Sequence, residues 1–139
     1  MGRRASREIA MKLLYQLEIQ KEDREEQINY VLEENSLIDK DRDYVTDVVE
    51  GVAKNLSQID KIIEELSRGW KIGRISKVDL SIMRLSIYEI CYRNDIPYSV
   101  SVNEAVELAK RYSSEDAGAF VNGILSKVSR VRVPPDEGG

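Results

Sequence analysis

Apolar residues recur at steps of three and four along most of the chain, which is the period of an amphipathic helix. In the first such segment, from about residue 5 to residue 20, the apolar positions are Ile9, Ala10, Leu13, Leu14 and Leu17. Further segments with this period begin near residues 25, 40, 57, 77, 101 and 114. No segment shows the strict alternation of a half-buried strand, so the pattern predicts an all-α fold of seven helices.

The segment from Lys77 to Tyr92 is apolar around most of its circumference, which is typical of a helix surrounded by others. We therefore expect it to be the central helix, with Cys91 as a buried core thiol. Pro97 should end this helix at or before residues 94–95, because proline disfavours a helical residue in front of it.

Polar residues near the beginnings of three segments predict where helices start. Ser57 fits an N-cap for the fourth helix, and Ser101 followed by Glu104 fits a capping box for the sixth. The last helix is predicted to begin near Ser114. Gly123 lies inside that helix and costs about 1 kcal/mol relative to alanine, so we expect another part of the chain to pack closely against its backbone.

Composition favours one compact domain. With 139 residues and 42% hydrophobic content, the chain can build a core without metals or disulfides. The domain is predicted to cover residues 1–132, and the tail at residues 133–139, rich in proline and glycine, is predicted to be disordered. No apolar run approaches the roughly 20 residues that span a bilayer, so we expect a cytoplasmic protein that does not contact membranes.

The residue types that are missing exclude most enzyme classes. The chain contains no histidine and one cysteine, which excludes the common zinc sets, the serine and cysteine triads, and an internal disulfide. The glycines fall singly rather than in a phosphate-binding loop. No catalytic residue, cofactor or metal site is predicted. A hydrolase built on two carboxylates stays open as an alternative, although most acids alternate with cations on outward helix faces.

Charge is distributed unevenly, although the net charge is only −4. The first predicted helix is basic at its beginning. If Ile9 faces inward, the opposite face collects Arg4, Arg7, Glu8, Met11 and Tyr15, with Lys12 at its margin. RNA binding needs cations for phosphates and flat side chains for unstacked bases, and this face offers both. The alternative is a solubilising end in which Tyr15 packs against a neighbouring helix.

Two later segments of the sequence are also candidates for contacts with a polyanion or a partner. The first runs from Arg68 to Lys77 and contains four cations, two glycines and Trp70 but no acid, so it is either a second polyanion patch or a solvated rim between two helical halves. The second contains Phe120, the only phenylalanine, at the edge of the inward face of the last helix. It is either a core residue or a half-exposed contact for a base or a partner.

Several strings together resemble a known family more specifically than any one of them. They are Arg3-Arg4-x-x-Arg7 ahead of Leu14-Tyr15, Leu85-x-x-Tyr88-Glu89, Asp95-Ile96-Pro97, Asn103-Glu104-Ala105-Val106-Glu107-Leu108-Ala109-Lys110 and Phe120-Val121-Asn122-Gly123-Ile124-Leu125. In this order and spacing, nearly the whole chain resembles the NusB family of bacterial transcription antitermination factors.

The resemblance implies a fold of two packed helical bundles, here at about residues 3–56 and 57–132. It also implies binding to the boxA element of RNA together with NusE, a small-subunit ribosomal protein, in an RNA polymerase antitermination complex that promotes ribosomal RNA transcription. The implied RNA contacts are Arg3, Arg4 and Arg7, with Tyr15 close by and Phe120 near the same surface. Lys12 is added to this set because of its position at the margin of the basic face of the first helix. The implied partner contacts are Asp79, Tyr88, Glu89 and Asp116.

A second function stays open beside this one. The chain could be a protein-interaction module, such as a homodimer, that touches RNA only through its partner. A related helical domain precedes the catalytic domain of some RNA cytosine methyltransferases, but this chain ends without a cofactor-binding α/β domain.

Overall fold

The structure of the protein is a computed structural model that describes residues 2–128. Over that range it is helical and contains no strand. The helices are α1 (Arg3–Ile19), α2 (Arg24–Glu34), α3 (Asp39–Lys54), α4 (Leu56–Leu66), α5 (Lys77–Tyr92), α6 (Tyr98–Tyr112) and α7 (Glu115–Leu125), with a short 3-10 helix at Ile72–Arg74. None of them is long and apolar enough to cross a membrane. The predicted all-α fold of seven helices is confirmed, whereas the predicted tail at 133–139 lies outside the described residues.

Helix α5 lies at the centre of the molecule, as its sequence predicts. It packs against α1, α3, α4, α6 and α7, and every residue from Asp79 to Ile90 is buried. Cys91 is the exception to the prediction, because it is only partly buried at the end of the helix. The α5 helix stops at Tyr92, five residues before Pro97, as expected.

The other helices form two groups that both pack against α5. Helix α1 contacts α2 and α3, and α6 packs extensively against α7. Since α5 contacts members of both groups, it joins them into one core. The division into bundles at about residues 3–56 and 57–132 stays a prediction.

Two of the predicted helix starts are wrong. Helix α4 begins at Leu56, so Asn55 rather than Ser57 occupies the N-cap position. Helix α6 begins directly after Pro97, because the fixed φ of proline suits the entry to a helix, and this places Ser101 inside the first turns. The prediction for α7 is confirmed, since Oγ of Ser114 accepts a hydrogen bond from the backbone N–H of Ala117 at 3.0 Å.

The close approach expected at Gly123 occurs elsewhere. A Cβ at Gly123 would meet nothing within 4 Å. A Cβ at Gly51 in α3, by contrast, would lie 2.2 Å from the ring of Tyr88 in α5. The absence of a side chain at Gly51 therefore allows α3 and α5 to pack together, and the prediction named the wrong glycine.

Candidate nucleic-acid interface

Arg4 lies at the surface on α1 and is held there by Glu104 of α6. Its Nε and Nη2 donate to the two carboxylate oxygens at 3.0 and 2.7 Å. The hydrogen bond from Arg4 lowers the pKa of Glu104, and the same pairing raises the pKa of Arg4. The Arg4 side chain is still 75% exposed, so the guanidinium is positioned by its partner and remains accessible to an anion.

One and two turns further along α1, the same edge of the helix continues to face α6. Glu8 accepts hydrogen bonds from Arg111 at 2.8 Å and from the Tyr112 hydroxyl at 2.6 Å. The bond from Tyr112 is the main cause of the lowered pKa of Glu8. Nζ of Lys12 lies 5.1 Å from the centroid of the Tyr112 ring, within the range of a cation–π contact. This edge of α1 is therefore ordered by α6.

Arg3 is positioned by an aromatic ring rather than by an acid. Its Cζ lies 4.4 Å from the centroid of the Tyr44 ring in α3. Tyr44 itself is buried, so Arg3 stacks over a ring that the core holds in place. Arg3, Arg4 and Lys12, which we call the α1 cationic end, are thus each fixed by a neighbouring helix.

Arg7 does not lie on the exposed face, and this prediction is wrong. Only 4% of the residue is exposed, and its Nε and Nη2 donate to Glu89 of α5 at 2.9 and 3.2 Å. The reason is that α1 packs against both α3 and α5, which buries a wider arc than the apolar stripe indicates. Met11, also predicted to face outward, is buried for the same reason.

Glu89 is the centre of a buried polar cluster. Besides the pair with Arg7, its carboxylate accepts a hydrogen bond from the hydroxyl of Tyr44 and another from Oγ of Ser101 at 2.7 Å. We call these four residues the Glu89 cluster, and they come from α1, α3, α5 and α6. The cluster therefore fixes the direction of α1 relative to three other helices.

The protonation of the Glu89 cluster follows from its burial. Burial alone lowers the pKa of Arg7, but the hydrogen bonds and charge of Glu89 outweigh this and raise it. Burial and the negative charge of Glu89 both raise the pKa of Tyr44. The arginine is therefore charged and the tyrosine neutral over the whole physiological range.

The predicted partner contacts divide into buried and accessible residues. Glu89 has no exposed surface and Tyr88 is 7% exposed, with its hydroxyl donating to Asp47 of α3 at 2.9 Å. A direct partner contact at these two positions is not supported, because α5 is enclosed by other helices. Asp116 is exposed in the first turn of α7.

Asp79 differs from both groups. It lies in the first turn of α5, where its backbone N–H donates to the N-cap residue Ser76 at 3.1 Å. One carboxylate oxygen, Oδ1, is buried and has no hydrogen-bond partner within the described part of the chain. A buried acceptor without a donor destabilises the folded chain, and a donor from outside reaches this oxygen only when the groups that cover it move.

The predicted aromatic contacts are both partly accessible. Tyr15 is 37% exposed, and Phe120 is half-buried on α7. Phe120 makes an edge-on contact with Trp70, with ring centroids 6.2 Å apart. Trp70 is 53% exposed and lies between α4 and α5.

A second buried arginine was not anticipated from the sequence. Arg84 of α5 makes two hydrogen bonds of 2.8 Å to Asp60 of α4 and one of 2.7 Å to Glu18 of α1. The only signal in the sequence is an arginine inside a helix that is apolar around most of its circumference. Together with Arg7, it attaches α1 to α5 at both ends.

Comparisons with known proteins all identify the same family. The model of the NusB family matches residues 4–130. The chain is 63% identical to the transcription antitermination protein NusB of Acetivibrio thermocellus over 99% of this chain and 95% of that protein. It is 65% identical to the protein of the same name from Ruminiclostridium cellulolyticum, over 98% and 94%.

Solved structures show the same fold. Thermotoga maritima NusB matches with a TM-score of 0.87 and 36% identity, over 99% of this chain and 96% of that one. A chain in a structure of the antitermination factors NusB and NusE in complex with double-stranded RNA matches with a TM-score of 0.80 and 30% identity, over 89% and 92%. The predicted NusB-like fold is confirmed by these matches.

Proposed function

The chain belongs to the NusB family of transcription antitermination proteins, and from that premise we propose that it binds single-stranded boxA RNA together with the ribosomal protein NusE. It acts in the cytoplasm within an RNA polymerase antitermination complex and promotes transcription of ribosomal RNA. The observation that carries the proposal is the α1 cationic end, whose charges are at or near the surface and are each held by another helix. Cations positioned before binding lose little side-chain entropy on meeting phosphates.

The residues of the interface have different roles in this proposal. Arg3, Arg4 and Lys12 bind phosphates, while Tyr15 and Phe120 offer partly exposed rings to unstacked bases. Arg7 is a positioning residue, because it is buried against Glu89 and acts on RNA only through the direction of α1.

The NusE contact is proposed at Asp79 and Asp116. Asp116 is exposed, and the buried Oδ1 of Asp79 lacks a donor among the described residues. A donor from NusE at Asp79 would remove the cost of that unpaired acceptor. The variants Asp79→Asn and Asp116→Asn should therefore weaken binding of NusE and leave binding of RNA alone unchanged.

The test of the RNA proposal is a titration of boxA RNA at several salt concentrations, with and without NusE. For single-stranded RNA, the logarithm of the binding constant falls against the logarithm of salt by about 0.7 per phosphate contacted. The double variant Arg3→Gln/Arg4→Gln should weaken binding and flatten this slope. NusE should tighten binding of the unmodified chain.

The matched control is Lys54→Gln/Lys61→Gln. These two lysines are exposed, make no ion pair with another described residue, and lie on α3 and α4. The control removes the same charge from another surface and should change the slope little. Equal effects of the two double variants would show that RNA responds only to net charge, and the assignment to α1 would be wrong.

A further inference from the structure

Trp70 is held in a defined position although it lies in the connection between α4 and α5. Oγ of Ser67 donates to the carbonyl oxygen of Trp70 at 2.8 Å, and Ser67 is buried. Arg68 and Gly69 both have positive φ, at 53° and 93°, so the chain turns sharply after α4. This turn carries the indole to the surface, where 53% of the residue is exposed.

The indole continues the surface to which the RNA proposal already assigns Phe120. The two rings meet at an interplanar angle of 60° with centroids 6.2 Å apart. In this edge-on arrangement the partner ring supports the indole and does not cover one of its faces completely. A flat, partly exposed aromatic surface is the feature on which a nucleic-acid base stacks.

The cations around Trp70 make no ion pair within the described range, although one acid lies near them: the carboxylate of Glu64 accepts a hydrogen bond from the backbone N–H of Ile72 at 3.2 Å. Arg68, Lys71 and Arg74 lie within four positions of it in the chain, with no acid between residues 66 and 78. All three are exposed, and none makes an ion pair or a side-chain hydrogen bond within the described range. Among the other described arginines, Arg4, Arg7 and Arg84 are each in an ion pair. An arginine in an ion pair has part of its charge neutralised, whereas these three cations remain available to phosphates.

We infer that Arg68, Trp70, Lys71 and Arg74, which we call the Trp70 patch, form a second contact for single-stranded RNA in which one base stacks on Trp70 and the three cations bind adjacent phosphates. The inference rests on the proposed RNA-binding function and extends the path of the strand from Phe120 across the turn between α4 and α5.

The measurement that tests the inference is tryptophan fluorescence, because Trp70 is the only tryptophan in the chain. A base stacked on an indole quenches its emission, so the signal reports on this site alone. Two oligonucleotides are titrated into the full chain, a short boxA strand and one extended beyond boxA on both sides. In parallel, a labelled RNA end reports total binding by anisotropy. We expect quenching by the extended strand with the same midpoint as the anisotropy.

Variants separate stacking from charge. Trp70→Ala should weaken binding of the extended strand roughly 5- to 150-fold, the usual range when one stacked base is removed from its platform, whereas Trp70→Phe should retain most of the affinity. The triple variant Arg68→Gln/Lys71→Gln/Arg74→Gln should flatten the salt slope by about 0.7 for each phosphate that the protein no longer binds. The triple variant Lys40→Gln/Lys54→Gln/Lys61→Gln removes equal charge elsewhere and should flatten it less. Circular dichroism verifies that each variant is folded.

The outcomes distinguish this inference from the function on which it rests. If the anisotropy titration shows binding that depends on Arg3 and Arg4 while Trp70 is neither quenched nor needed, the Trp70 patch is not an RNA contact and the proposed function stands. If no RNA binds, both fail. If Trp70→Ala reduces only the assembly with NusE, the patch contacts protein and the inference is overturned.

Discussion

At the scale of single residues, the pair formed by Arg7 and Glu89 is the most consequential contact of α1. Both side chains are buried, and their geometry is bidentate. Removing one member of a buried ion pair leaves the other charge without compensation, which typically costs about 3–5 kcal/mol. We expect Arg7→Ala to lower the free energy of unfolding by this amount, as measured by urea denaturation.

The control for this prediction is Arg24→Ala, which breaks an exposed pair with Glu50 at 2.9 Å and should cost less than about 1 kcal/mol. The double variant Arg7→Met/Glu89→Leu removes both buried charges and should recover much of the stability. The salt dependence of RNA binding is measured for the same variants. If the double variant binds RNA with the salt slope of the unmodified chain, Arg7 acts by positioning α1. A slope that stays flattened in the stable double variant would instead show that Arg7 contacts phosphate.

The acid sensitivity of the fold is a second prediction at this scale. The hydrogen bond from Arg4 gives Glu104 a pKa below its ordinary value in the folded chain. Its contribution to stability is therefore complete above the unfolded pKa of about 4.3 and is lost as the pH falls through the lower folded pKa. Glu8, Glu18 and Asp95 also have lowered pKa values and act in the same direction.

Urea denaturation between neutral pH and about pH 3 measures this effect. We expect the free energy of unfolding to decrease as the pH is lowered past about 4.5. In Glu104→Gln this decrease should be smaller. Glu33→Gln is the matched control, since Glu33 is exposed and has no ion pair within the described range. Identical pH profiles for Glu104→Gln and the unmodified chain would contradict the assigned role of the Arg4 pair.

Residue by residue, the sequence predicts the outward charges of α1 better than its buried ones. The positions of Arg4, Lys12 and Tyr15 follow from helical periodicity and are partly or largely exposed. The burial of Arg7 depends on Glu89, which lies 82 positions away, and helical periodicity contains no information about a partner so distant. The same reasoning explains why the pairing of Arg84 could not be predicted.

At the scale of elements, the packing of α3 on α5 depends on Gly51. A methyl group there would overlap the ring of Tyr88, and forced overpacking typically costs about 1–3 kcal/mol. We expect Gly51→Ala to lower the midpoint of thermal unfolding, despite the better helix propensity of alanine.

Gly123 offers the matched comparison in α7. An added Cβ there meets nothing within 4 Å, so Gly123→Ala should gain about 0.5–1 kcal/mol from helix propensity alone. The two substitutions are chemically identical and should have opposite signs. A gain of stability in both would show that α3 can move away from α5 at little cost.

Helix positions are predicted from the sequence more reliably than helix starts. Amphipathic periodicity identifies the helices around α5 because each buries one face, and α5 is identified by apolar residues around most of its circumference. The start of α6 is predicted wrongly because Ser101 and Glu104 match a capping box, yet both side chains are used for contacts with other helices. A local motif cannot show that its polar groups are needed elsewhere in the fold.

At the scale of the whole molecule, we expect the free chain to be a monomer of 15.9 kDa. The edge of α1 formed by Arg4, Glu8 and Lys12 is charged and is already paired with α6 of the same chain. It therefore offers no large apolar surface to a second copy.

Sedimentation of the chain alone and with boxA RNA tests this expectation. A single species of one chain mass that binds RNA without NusE supports the proposed function. A concentration-independent dimer that binds RNA only when NusE is added would favour the alternative, in which the chain reaches RNA through its partner.

The Glu89 cluster also determines how the molecule can open. Detachment of α1 breaks its ion pair with Glu89 of α5. It also disturbs the hydrogen bonds that Tyr44 of α3 and Ser101 of α6 donate to the same carboxylate. From Arg7 onward, the amide hydrogens of α1 should therefore exchange with solvent only when the core around α5 unfolds as well. The start of α1 is then presented in the same orientation by every folded molecule, and RNA affinity is not reduced by a population in which this helix is detached.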